Sequence, residues 1–409
     1  MTRPAPRLRL PPLDWPLLLA VLGLVLIGLA TVYSATSIPG AHEGLWARQL
    51  TWAGVALIGA WLAAGIHYRA YDTLAWPLYG IALVLLVLVL GIGTSAYGAK
   101  RWLELGALRF QPSELAKIAT VIALARVLDS PNLNLRRIRW WLPPMLLTVV
   151  PFLLVLREPD LGTSLSFPVI LIAMYYWAGM PLSTLAMGLS PALNLVLFFA
   201  TGSLWWFAAL LTAMLAVIRP RLSVLVLVVT VNGAMAAVLP QAWNHLHDYQ
   251  KRRIETFLNP GQDPHGAGYQ IIQSKIAMGS GGVTGKGYLK GSQKALAFLP
   301  MRHTDFVFSV VGEELGLVGT LAVVILYGVL LLRGIRVATE ARNGFASLMV
   351  VGLVSALFYH VAVNILMTIG WAPVTGLPLP LLSYGGTALI VNGIEIGLIL
   401  NVAMRRMEF

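Results

Sequence analysis

DWPLLLAVLGLVLIGLATVYSAT, residues Asp14 to Thr36, decides the fold class. After its first residue the segment carries no charge, and it has the roughly 20 apolar residues needed to cross about 30 Å of hydrocarbon. A basic leader with Arg3, Arg7 and Arg9 precedes it, as in a secretory signal. A signal's apolar region runs to only about 7–15 residues, so this segment reads as a retained helix. Working outward, apolar runs between turn signals predict further spans near 46–66, 74–93, 114–128, 141–157, 162–179, 183–200, 203–218, 222–240, 306–332, 345–369 and 384–404. Ser190-Pro191 interrupts the seventh of the twelve. Composition agrees: 58% of residues are hydrophobic and 11% charged, against about 25% charged in soluble domains. The expectation is an all-α polytopic membrane protein of about 12 transmembrane helices, residues 1–409 forming one integral domain.

A formal net charge of +12 would point to nucleic acid in a soluble protein. Here the basic residues lie mostly between apolar spans, so lipid headgroups and topology account for them and no nucleic acid is expected. With the N-terminus inside, the inner leader, loops and tail hold fifteen Lys or Arg, from Arg3 to Arg406, against five in the short outer loops: Arg48, Lys100, Arg101, Arg109 and Arg157. That asymmetry predicts both termini in the cytoplasm. The segment 241–305 then becomes a large extracytoplasmic loop, with eight Lys or Arg against four Asp or Glu. Ordered loops of that length are usually functional. The absence of cysteine from the sequence excludes disulfides and thiol chemistry, and the seven histidines form no HExxH pairing.

Several motifs carry ionisable groups into or beside the membrane. The long loop contains GSGGVTGKG, but a Walker A motif needs Gly at Ser280 and Ser or Thr at Gly287, so the phosphate-loop reading fails. Two readings stay open: glycine N–H groups approaching an anion with help from Lys275, Lys286 and Lys290, or a flexible re-entrant turn. QPSELAK places Glu114 and Lys117 three residues apart on one helix face, either as a self-neutralising pair at the interface or on a substrate path. REPDLGTS packs Arg157, Glu158 and Asp160 where the chain turns back; such charges stop a helix, but three in four residues exceed that need. Glu313, Glu314 and Glu395 are costly within spans, and helix packing or a cytoplasm-side contact is the expected role of Glu395. GWAPVTGLPLPLLSYGGTALI, residues 370–390, reads as a broken segment lining a cavity, because non-helical backbone at membrane depth must be buried in protein or face water. Interhelical hydrogen bonding is the expected role of His360 and Asn364. Asp263, in NPGQDPHGAGYQ, reads locally as a turn starter before Pro264 or as a positioned carboxylate.

Taken in order, these segments resemble the SEDS family of shape, elongation, division and sporulation proteins. The matching pieces are GAKRW at 98–102, FQPSELAK at 110–117, PDLGTS at 159–164, GAGYQIIQSKIAMGSGG at 266–282, FLPMRHTDFVF at 298–308, EELG at 313–316 and GLPLPLLSYGG at 376–386. The pattern GSQ followed by FLPMRHTDF is similar to the elongation branch of the family rather than the division branch. The resemblance implies a peptidoglycan glycosyltransferase that polymerises lipid II, working with a class B penicillin-binding protein and elongating a nascent glycan strand at the bacterial inner membrane. It implies Asp263 as the catalytic carboxylate, acting directly or through Mg²⁺ or Mn²⁺ with unspecified ligands. Glu114, Lys117, Asp160, Lys275, Arg302, His303 and Ser383 are implied as substrate contacts. Two departures stand out: the family usually has ten helices, so an extra hairpin is expected within 181–240, and Met301 occupies a position where the family usually has Glu. The rival reading is a lipid II flippase that forms no bonds, which would place its charges near the midplane at a repeat interface.

Overall fold

A computed structural model describes residues 13–37, 44–96, 99–105, 108–201, 222–245, 267–292 and 301–406, with isolated positions between 203 and 251. In chain order the described helices of twelve or more residues are α1 (Trp15–Thr36), α2 (Leu45–Gly65), α3 (Ala75–Ile92), α4 (Pro112–Leu128), α5 (Leu142–Arg157), α6 (Ser166–Trp177), α7 (Leu182–Thr201), α8 (Leu222–His245), α9 (Ala267–Ser280), α10 (Val307–Glu340), α11 (Gly344–Thr368) and α12 (Gly386–Arg405). All but α9 fall on predicted spans, while the predicted span 203–218 lies almost wholly outside the described residues. Six of them (α1, α3, α5 with its lead-in from Ile138, α10, α11 and α12) are long and apolar enough to cross a membrane. Leu19, Leu22 and Leu26 of α1 are exposed although apolar, as a lipid-facing surface requires. The chain is a multi-pass membrane protein.

In hydrocarbon every backbone group needs a partner, and the prolines show how this is met. Pro151 in α5 cannot donate to the carbonyl of Leu147, and the Tyr79 hydroxyl of α3 donates to that oxygen at 2.9 Å. Pro191 likewise frees the carbonyl of Met187, which the Ser190 hydroxyl takes at 2.7 Å. The predicted interruption at Ser190-Pro191 is thus bridged, and α7 runs through it. Asn232 of α8 donates to Ser190 Oγ at 2.8 Å and accepts from Asn194 at 2.6 Å, locking α7 and α8 together.

Two ends of the bundle are distinguished by what gathers there. At the termini end, Arg333 forks onto Asp14 at 3.0 and 2.6 Å, and Arg406 pairs with Glu340. Arg336 also pairs with Glu340, at i,i+4 and 2.7 Å, so α10 continues well past the predicted end at 332. At the opposite end lies a three-stranded antiparallel meander that the sequence reading did not anticipate: β1 (Thr94–Ala96), β2 (Ala99–Leu105) and β3 (Leu108–Phe110), with Leu103 opposite Phe110. We call this the sheet end.

α11 and α12 form the buried centre. Gly393 and Gly397, one turn apart on α12, let α2 approach so closely that a Cβ at either would sit 2.5 Å from the Ala56 carbonyl or 2.3 Å from that of Ala60. The segment 370–385 is non-helical as expected, but it is packed in protein: Leu377, Leu379 and Leu382 are buried. Side chains satisfy its backbone. Asn364 donates to the Leu377 carbonyl at 2.7 Å, Tyr327 to that of Pro380, and Gln49 to that of Ser383 at 3.1 Å.

α10 is broken at Gly316, whose φ of 65° interrupts the helical ladder. The groups released there bond to the glycine-rich loop after α9. Lys286 and Gly287 donate their N–H groups to the Glu313 and Glu314 carbonyls at 3.0 Å each, and Leu317 and Val318 donate to Gly282 and Val283 at 3.0 and 3.1 Å. A Cβ at Gly281 would meet the Gly312 carbonyl at 2.0 Å. The glycine run is therefore a close clamp on a helix kink, and these N–H groups are not offered to an anion.

Candidate active site

At the sheet end, α4 begins with Pro112, whose missing N–H costs nothing in a first turn. Glu114 sits in that turn, where the helix dipole favours an anion, and Lys117 follows one turn later. Lys117 Nζ lies 3.0 Å from Glu114 Oε2 and 2.7 Å from Nε2 of His360 on α11. All three are at most 4% exposed. Glu395 of α12 is also buried and interacts electrostatically with both Lys117 and Glu114. A carboxylate, an amine and an imidazole from two helices thus meet where desolvation makes an unpaired charge very costly, with Glu395 of a third helix within electrostatic reach.

Asp160 is reached from the same helix start. It caps the helical turn Leu161–Ser164, accepting from Thr163 N at 3.1 Å and Thr163 Oγ1 at 2.9 Å, and takes a bond from Gln111 Nε2 at 3.3 Å. Arg101 of β2 lies 3.8 Å from its carboxylate and donates to the Glu158 and Pro159 carbonyls, so the meander is fastened over this turn. Asp160 therefore has a structural task at the sheet end.

Glu158, two residues earlier, is fully buried, and neither of its carboxyl oxygens has a hydrogen-bond partner among the described residues. Burial, reinforced by the negative charge of Asp160 and only partly offset by Arg101, pushes its carboxyl up to about 8. Because the folded form holds the proton more tightly than the unfolded chain, this contribution to stability is complete below the ordinary value of 4.5 and is lost as pH rises through 8. Across that window the loss is on the order of 1.4 kcal/mol per pH unit. Glu158→Gln keeps the neutral shape, so its melting temperature is expected to draw level with the parent near pH 5 and exceed it by several degrees at pH 9. Parallel melting curves over that range would show that Glu158 is ionised in the fold.

The other expected contacts fall into further groupings. The Ser383 hydroxyl donates to the Thr304 carbonyl at 2.6 Å and accepts from Leu379 N at 2.8 Å, while Tyr384 N donates to the His303 carbonyl at 2.8 Å. His303 meets the Tyr384 ring edge-on at 5.8 Å, and buried Arg302 donates to the Ala35 carbonyl at 2.9 Å. Lys275 is exposed, its stem lying across Gly370, where a Cβ would come 2.1 Å from Lys275 Cε. Glu313 pairs with Lys286 at 2.8 Å and accepts from Ser292, and Glu314 accepts from Ser34 at 2.6 Å. Asp263 lies outside the described residues. Among the described residues no three His, Asp or Glu side chains converge as a cation site requires, so the expected Mg²⁺ or Mn²⁺ finds no ligand set there. The sequence signalled Glu114 with Lys117 through their spacing, but gave no sign that His360 and Glu395, more than 240 residues away, complete the cluster.

A family profile described as a cell cycle protein, FtsW/RodA/SpoVE, matches residues 13–205 and 183–408. The peptidoglycan glycosyltransferase MrdB of Escherichia coli is 40% identical over 399 residues, covering 96% of this chain and 94% of its own. The probable peptidoglycan glycosyltransferase FtsW of Trichlorobacter lovleyi is 35% identical over 403 residues, covering 97% and 94%. Among solved structures, a chain from work described as structural coordination of polymerization and crosslinking by a peptidoglycan synthase complex superposes with a TM-score of 0.75 at 34% identity, covering 97% of this chain and 99% of that one. The rod shape determining protein RodA of Thermus thermophilus superposes with a TM-score of 0.65 at 30% identity, covering 97% and 98%. With motifs, fold and relatives in agreement over nearly its whole length, the chain belongs to the FtsW/RodA/SpoVE family, the SEDS proteins.

Proposed function

We propose that this chain is a peptidoglycan glycosyltransferase that polymerises lipid II during cell elongation, with Lys117 as the cation that meets the departing pyrophosphate. The observation that carries the reading is the Lys117 ammonium, which has three N–H donors and uses two, on Glu114 and His360, among the described residues. In the reaction an acceptor hydroxyl oxygen attacks the anomeric carbon of the donor sugar. The bond from that carbon to the polyprenyl pyrophosphate breaks, and the pyrophosphate leaves with the electron pair. The hydroxyl proton passes to a carboxylate, which the family resemblance assigns to Asp263. A leaving group that is already an anion needs a positive charge rather than a proton donor, so one base is enough, unlike in a glycosidase. Asp160, Lys275, Arg302, His303 and Ser383 are assigned to holding the substrate and the loops around it. A divalent cation acting with Asp263 belongs to the proposal, but no step above is routed through it.

Lys117 is 2% exposed, so substrate reaches it only after the covering segments move. A class B penicillin-binding protein is the proposed partner that moves them. The likeness to a chain of a complex that coordinates polymerization with crosslinking supports this.

Both termini are assigned to the cytoplasm, and the sheet end and 241–305 to the outside, on the fifteen-to-five division of basic residues. The extra hairpin is assigned within 181–240, whose first and last helices, α7 and α8, are joined through Asn194 and Asn232. Cysteines placed at the exposed Thr284 and Ser130 test the sidedness. An impermeant thiol reagent applied to intact inner-membrane spheroplasts is expected to label the first alone, and labelling of Ser130→Cys alone would invert the topology.

The flippase reading retains one supporting observation: Glu395 lies midway along α12, where a translocator would place a charge. Vesicles containing the purified protein and fluorescent lipid II separate the two. Glycan strands support polymerisation, whereas lipid II that changes leaflet with its chemistry intact supports transport.

A further inference from the structure

We infer that His360 is a positioning residue for Lys117: its imidazole accepts a hydrogen bond from the ammonium and so aims the remaining N–H of Lys117 toward the substrate. The inference rests on the proposed role of Lys117 in meeting the pyrophosphate.

Three facts carry it. A lysine ammonium only donates, so Nε2 of His360, 2.7 Å from Nζ, must be the acceptor, and the ring is neutral with its proton on Nδ1. A second cation at that separation in a buried site would be strongly repelled. The two residues stand on different helices, α4 and α11, both buried, so the contact fixes Nζ against a neighbouring span as well as against its own helix. Finally, the ammonium has one hydrogen-bonded carboxylate partner among the described residues, and it lies on its own helix. Glu114 is bonded to Nζ at 3.0 Å, while Glu395 on α12 lies within electrostatic reach. Lysine's four-carbon stem is flexible. Without an acceptor on α11, Nζ is held, among the described residues, by Glu114 of its own helix alone and is no longer fixed between two spans. His360 thus acts through Lys117 and has no assigned contact with the substrate.

Two substitutions separate positioning from packing because they rank in opposite orders. His360→Phe keeps an aromatic ring of similar size but has no acceptor, whereas His360→Gln loses the ring but presents an amide oxygen to Nζ. Both would be assayed on lipid II beside the parent and Lys117→Ala. We expect His360→Phe to lose at least about tenfold in kcat with little change in KM, since the interaction with the departing anion strengthens in the transition state. His360→Gln is expected to retain turnover within about threefold of the parent. Equal rates for the two variants, or faster turnover by His360→Phe, would overturn the inference. Parental activity in Lys117→Ala would instead remove the reading of Lys117 on which it rests. A silent His360→Phe beside an inactive Lys117→Ala would reject His360 alone.

Discussion

Replacing Lys117 with alanine is expected to lower the rate of glycan synthesis by at least about a hundredfold, the usual scale for losing a preorganised charge that meets a developing anion. The variant needs a control, because truncating one member of a buried pair leaves the other charge stranded. Glu114 is 3% exposed and takes its hydrogen bond from Lys117, and such a loss typically destabilises by about 3–5 kcal/mol. Part of any fall in activity would then reflect folding. The double replacement Glu114→Gln with Lys117→Met removes both charges while keeping shape and an amide, so it should recover most of the parental melting temperature and remain inactive. A double variant that is stable and also polymerises at the parental rate would reduce the pair to a structural device.

Asp263→Asn is expected to abolish synthesis, a loss on the order of 10²- to 10⁴-fold for removing a general base. Its basis is the sequence: the residue lies in NPGQDPHGAGYQ, and the family resemblance implies it as the catalytic carboxylate. Asparagine keeps the size of the side chain and most of its hydrogen bonding, so the thermal profile and partner binding should be unchanged. Near-parental polymerisation by that variant would pass the role to Asp160. Asp160→Asn would then require a stability measurement beside it, because the carboxylate caps a helical turn and accepts from both Thr163 and Gln111.

The spans were legible because lipid demands long apolar runs, and helix ends were legible where a cap or a proline stands, as at Asp14 and Pro112. The end of α10 was not. Arg333 and Arg336 look like a loop in sequence, but each finds a carboxylate, Asp14 and Glu340, and the helix continues. Nor was the Gly316 break visible, since EELGLVGT has helical spacing and the deviation exists only because a glycine loop distant in sequence supplies substitute hydrogen bonds. That same loop was ambiguous for the complementary reason: its glycines are required by the close approach of α10. The meander at 94–110 was missed because its outer strands are three residues each, too short for alternation to register. Glu114 and Lys117 were legible as an i,i+3 pair. His360 and Glu395 were not assigned to them, because spacing along the chain does not reveal which helices become neighbours.

The central claim is bond formation at the expense of a polyprenyl pyrophosphate. The most direct measurement counts polyprenyl pyrophosphate released per disaccharide added when the purified protein, with its transpeptidase partner, is given lipid II as its substrate. The account predicts a one-to-one ratio, with both products absent from Asp263→Asn. Lipid II recovered intact from folded protein, or glycan formed equally well by Asp263→Asn, would contradict it.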